Sequence, residues 1–231
     1  MVSCHISDIL NEIEGGVDQQ VPHLVSQQRF SLQKSFSLLL MECTVLSDSF
    51  VVDLAIILLG SIAPAANKHR ISSESVILTI TMLNELIAGR FVDPAGADSL
   101  QKHAWSVLQS SASLAVTRAC LKFVDMRVLQ FTSIKTLKSH VHKLLVLGRT
   151  SMSVASKCRI PPILKSLCGS ISRCPEVFTH DCIEEVVHFN STISKRLVRS
   201  GEKGDLIGES SAAAWRCITE SFPQFIFPTT G

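Results

Sequence analysis

With 231 residues, 46% hydrophobic and 18% charged, the chain has enough apolar material for a core and too little charge for a disordered polymer. Aromatics make up only 6%, Tyr is absent, and Leu, Ile, Val, Ala and Ser dominate, which tips the balance from sheet toward helix. Net charge is only +2, but residues 1–50 carry −4 and residues 101–150 carry +7, so an acidic front meets a basic third quarter.

The length allows one large domain or two small ones, at about 150 residues per domain. Residues 3–13 read as a short amphipathic helix, with Ile6, Ile9, Leu10 and Ile13 on one side and Gly15-Gly16 as its stop. After Pro22 a long helix runs to about Leu46, striped by Phe30, Leu32, Phe36, Leu39, Leu40, Cys43 and Leu46. Ser47 or Asp48 then caps a helix that is apolar nearly all round, broken only by Asp53, and Pro64 ends it. A striped helix leading into an all-apolar one predicts a buried helix and its covering partner. Residues 50–66 hold one charge in 17 positions, below the roughly 20 that a bilayer span requires, so a core helix is expected and no membrane.

Ser72 or Ser73 caps the next helix, with Glu74 in its first turn; Val76, Ile77, Ile80, Leu83, Leu86 and Ile87 point inward and Gly89 stops it. Residues 93–96 form a turn, and a helix from Ala97 or Asp98 reaches Gln109 before the small, polar run 110–113 breaks it. Helix resumes over 114–131. Ser133 caps a further one through Leu147, closed by Gly148. Residues 149–160 read as loop, Pro161-Pro162 open a short helix ending near Cys168-Gly169, and Cys174-Pro175 is a turn. Thr179 or His180 leads into a helix through about Val198, with Val186, Val187, Phe189, Ile193 and Leu197 inward. The expected organisation is a helical domain over 1–199, most regular over 24–150, a linker over 200–210, then a short helix and a flexible apolar tail over 211–231.

Chemistry is sparse. Eight cysteines include no CxxC pair, and the opening Met-Val-Ser-Cys-His-Ile-Ser-Asp lacks the basic and apolar regions of a signal peptide. Reduced, buried thiols in the cytoplasm or nucleus are therefore expected, not a secreted disulfide framework. Cys158, Cys168, Cys174 and Cys182 with His180 and His188 form the densest group of metal-type donors. Their spacing is wrong for a zinc site, which pins two ligands two to four residues apart on one turn; His180 and Cys182 diverge on a helix. His140 and His142 read as exposed or half-buried helix positions, and Glu184-Glu185 diverge. No GxSxG, HExxH, GxxxxGK[ST] or GxGxxG motif occurs, so no catalytic residue, metal, cofactor or small-molecule substrate is expected. Arg118, Lys122, Arg127, Lys135, Lys138 and Lys143 give the basic quarter its ridge, a candidate surface for an acidic partner.

Helices of this length joined by short loops give stacked α-hairpins, as a short solenoid or an irregular bundle. The rows Leu39/Leu40/Cys43 with Leu54/Ile57/Leu58, then Ile77/Ile80/Leu83 with Trp105/Leu108, recur at roughly 40 residues. In this the chain resembles the HEAT and armadillo arrays, without the Asp and Arg ladder positions of HEAT units. Residues 30–90 are also similar in general look to the meiosis inhibitor family of long helical scaffolds, implicated in meiotic double-strand breaks and chromosome pairing. The resemblance implies a non-catalytic scaffold that binds proteins, and the abrupt ends suggest a piece or splice form of a longer array. A nucleic-acid-associated module using the basic 118–143 region is the alternative.

Overall fold

The computed structural model describes residues 2–15, 21–68, 71–130, 133–152, 157–196 and 204–223. Among them are ten α-helices and no strand, and the all-α expectation is met. The helices fall into two compact units, Met1–Thr132 and Ser133–Gly231.

The first unit holds α1 (Val2–Glu14), α2 (Pro22–Cys43), α3 (Asp48–Asn67), α4 (Ser73–Leu86), α5 (Pro94–Ser110) and α6 (Leu114–Phe123). α6 runs on into a π-helical turn, Val124–Val128. α1 packs on α2, α3 on α4 and α5 on α6, which makes three hairpins. α1, α3 and α5 stack as one layer, and α2, α4 and α6 as the other. The first-layer helices begin at residues 2, 48 and 94, an even spacing of 46. Repetition of this kind lets each hairpin bury its apolar face on its neighbours.

Two sequence expectations shift here. α2 and α3 are consecutive but do not form a hairpin; α2 packs chiefly on α1 and α4. The corner between them is filled by Arg90, whose Nη1 donates to the Leu46 carbonyl (2.9 Å) and Asp48 Oδ1 (3.0 Å) and whose Nη2 donates to the Cys43 carbonyl (2.5 Å). A cation there supplies donors to the carbonyls at and just beyond the end of α2. Phe30, expected inside, is 71% exposed. The buried stripe of α2 is Leu32, Phe36, Leu39 and Cys43, while Phe30, Leu38 and Met41 face outward, as does Val45 in the turn that follows.

The apolar α3 buries Val51, Val52, Leu54, Ala55, Leu58, Leu59 and Ile62 and exposes Phe50, Asp53 and Ile57. By length and composition its Asp48–Ala66 window would suffice to cross a membrane, but half of it is buried against the helices around it. Pro64 does not end the helix. It stands exposed in the last turn, where its missing N–H costs one hydrogen bond near an already frayed end. α5 begins at Pro94, earlier than expected, because Asp93 Oδ1 accepts from the Gly96 N–H (2.9 Å) and proline suits the first helical position. Ser47, Ser72, Ser113 and Ser133 cap α3, α4, α6 and the helix after residue 133 in the same way. Beyond α4, Gly89 takes φ +72°, a conformation that glycine adopts without strain.

The second unit repeats the plan with α7 (Ile134–Thr150), α8 (Ile160–Arg173), α9 (His180–Arg196) and α10 (Gly204–Ser221). α7 packs on α8 and α9 on α10; α7 also stacks on α9, and α8 on α10. Hairpins stacked in this way in each unit are compatible with a helical repeat fold. Gly148 lies inside α7 and does not close it: a Cβ there would collide with the buried Phe189 ring of α9, so the glycine sets the approach of the two helices. The linker expected over 200–210 is helical from Gly204 onward, while 200–203 lie outside the described residues, as does the tail over 224–231.

Candidate interaction surfaces

α4 and α6 flank an open groove of about 540 Å³ on the second layer of the first unit. Val116, Thr117, Cys120 and Leu121 turn the other side of α6 into the core, so Leu114, Ala115, Arg118, Ala119 and Lys122 are left along the groove. The groove exists because Ala115 and Ala119 are short where a larger side chain would fill the space against Ile77 of α4. Its floor is apolar and its rim holds two exposed cations, Arg118 and Lys122. Arg127 is not among the groove's lining residues; it is half-buried and donates from Nε to Asn84 Oδ1 of α4 (3.0 Å).

The six basic residues singled out by sequence divide between the units. Arg118, Lys122 and Arg127 belong to the first; Lys135, Lys138 and Lys143 lie on α7 in the second. Lys135 and Lys138 are exposed and Lys143 is half-buried. Their charges reach inward as well. Lys138 works against the burial and the Glu185 charge that together push the Cys182 thiol up, and Lys143 adds to the burial that depresses His140.

His140 was expected at or near the surface and is fully buried, with Nε2 3.4 Å from Ser166 Oγ of α8. Burial first, and Lys143 second, pull its pKa down to about 3, so the imidazole is neutral at physiological pH. His103 of α5 is also pulled down, chiefly by burial and then by Lys102; its ring lies over Gly60 of α3.

The thiol and imidazole group does not converge into a metal site. Among the described residues the one set of three clustered donors is His180, Asp181 and Glu184 at the start of α9, all exposed. His180 Nδ1 and Glu184 Oε1 are 3.4 Å apart, an ordinary i,i+4 surface pair. Glu185 turns instead to Arg149 (3.6 Å). Sequence reasoning missed the α4 wall of the groove, since Ile77 reads as core by periodicity, and it missed the alanines, whose signal is only the lack of bulk.

No family model, no curated protein and no solved structure matches the chain, so the resemblance to the meiosis inhibitor family draws no support from these comparisons.

Proposed function

We propose that the protein is a non-catalytic helical scaffold of the HEAT/armadillo type that binds other proteins. The observation that carries this reading is the α4/α6 groove, with an apolar floor and the cations Arg118 and Lys122 on its rim. Such a groove fits a short segment that is apolar on one side and acidic on the other: the apolar side supplies burial and the acidic side selects partner and orientation. The general look of residues 30–90 makes meiotic chromosome events, in the nucleus or cytoplasm, the setting in which to seek that partner.

The test is affinity capture with the folded chain and with an Arg118→Glu/Lys122→Glu variant at physiological salt. The proposal expects a discrete set of proteins held by the first and lost by the second. Identical sets on both would remove the groove from the account.

The second reading, a nucleic-acid-associated module, is favoured by the +7 charge of residues 101–150. It expects retention on DNA or RNA that falls steeply with salt and weakens when Lys135, Lys138 and Lys143 become Glu. Retention indifferent to salt or to these changes counts against it.

A further inference from the structure

The half-buried thiols of Cys168 and Cys217 meet across the seam between α8 and α10, although 49 residues separate them in sequence. The Cys217 thiol donates to the Cys168 carbonyl oxygen (3.6 Å), lies 3.6 Å from Ser172 Oγ, and is near enough to the Cys168 thiol to raise its pKa. Leu167 and Ile171 on one helix, and Ala214 and Ile218 on the other, are buried on either side of the pair, so packing fixes the register that brings the sulfurs together. No two-to-four-residue spacing announces the pair, which is why a motif search passes it by. Both side chains keep partial exposure, which gives a small oxidant access.

We propose that Cys168 and Cys217 are a modification site, a dithiol that hydrogen peroxide oxidises to a disulfide joining α8 to α10. The Cys217 sulfur attacks one peroxide oxygen, the O–O bond breaks, and the departing hydroxide leaves as water with the thiol proton, giving a sulfenic acid. The Cys168 sulfur then displaces that hydroxyl; the S–S bond forms and a second water carries away the Cys168 proton. Two thiols give up two electrons and two protons, and one peroxide becomes two waters. The order of attack follows from the surroundings. Burial first, and the neighbouring Cys217 next, push the Cys168 thiol up to about 12, which disfavours it for the first attack on peroxide. The covalent link closes the second unit's two hairpins onto each other.

The test uses the full chain carrying Cys4→Ser, which removes the exposed cysteine that would join separate copies. The reduced protein is treated with one equivalent of hydrogen peroxide, alkylated, and mapped by mass spectrometry without reductant. The expected result is a loss of two hydrogens in intact mass, Cys168–Cys217 as the dominant cross-linked peptide, reversal by dithiothreitol, and slower proteolysis within α10 of the oxidised form. A Cys168→Ser chain should stop at a Cys217 sulfenic acid that dimedone traps. Disulfides dominated by other cysteines, sulfinic acid at Cys217 with Cys168 still free, or no mass change would each overturn the proposal. The principal reading is made on the chain with both thiols in place, so it does not hinge on whether a variant folds.

Discussion

The two units stack helical hairpins by the same plan but secure them differently. In the first, a charged corner accompanies a buried amide bridge: Arg90 holds the α2–α3 turn, and Gln28 links three helices by donating to the Glu12 carbonyl (2.7 Å) and accepting from Ser75 Oγ (3.3 Å). Its interior is otherwise mainly apolar, with Thr79, Gln101 and Thr117 buried in it. In the second, polar groups sit inside the seams. Asn190 of α9 donates to the Ser211 carbonyl of α10 (3.0 Å) and accepts from the Ser211 hydroxyl (2.8 Å), while His140 and Ser166 meet between α7 and α8. A buried amide with both ends satisfied fixes register where a row of leucines permits sliding. Apolar matter supplies the drive in both units, then, but the first adds a charged corner at Arg90 to its buried amide bridge, while the second relies on neutral groups in its seams.

The sharpest way to break that comparison is at Phe189, which fills the α7/α9 seam opposite Gly148. Phe189→Ala should cost about 3–5 kcal/mol in urea unfolding. A loss under about 1 kcal/mol would mean the seam collapses freely and is not fixed by shape. Next comes acid. The unfolded chain takes up a proton on His140 near its ordinary value of 6.5, whereas the folded chain holds out to about 3. Stability should therefore fall as pH is lowered through that window, by about 1.4 kcal/mol per unit, and be fully present above it. His140→Leu should flatten this part of the profile; an unchanged slope would place the titration elsewhere. Gly148→Ala should cost about 1–3 kcal/mol by overpacking, and less when Phe189→Leu makes room. Simple additivity in the double variant would show that the two positions do not meet.

Smaller effects test the first unit. Arg90→Met takes the side-chain donor from the Leu46 carbonyl, leaves the Cys43 carbonyl with only the Leu46 N–H, and should cost roughly 1–2 kcal/mol. It also releases Asp48, whose carboxyl is held below its usual range first by the Phe91 N–H and then by Arg90. That carboxyl's contribution is present above the usual carboxylate range and lost as pH falls through its depressed folded value, so the variant should show a weaker acid dependence there. Smallest of all is Ile57→Ser on the outward side of α3, where 54% exposure predicts a change within about 0.5 kcal/mol. A large loss would mean that this side is covered in solution.

Helix existence was largely legible, since capping serines and threefold or fourfold apolar spacing are local signals. Ser47, Ser72 and Ser133 cap where the pattern placed them. Pairing was less legible, because a repeat can be divided into hairpins at two phases that share one periodicity. The short 44–47 turn favoured an α2/α3 hairpin; the residue that decides otherwise, Arg90, lies more than 40 positions downstream. Phe30 misled for a related reason. α2 carries apolar residues on two sides, 32/36/39/43 and 30/38/41, and helical spacing alone does not say which side is buried. The groove was half visible: Arg118 and Lys122 stood out by charge, but its depth comes from Ala115 and Ala119, small residues that no motif records.

The 46-residue stagger of α1, α3 and α5 has a consequence for how the first unit comes apart. In such a ladder each hairpin leans only on its immediate neighbours, so disruption travels rung by rung and does not strike everywhere at once. The middle rung, α3 with α4, is clasped from both sides. Amide exchange should be slowest there and quicken toward α1 and α6, a gradient laid along the chain by the spacing of the repeats.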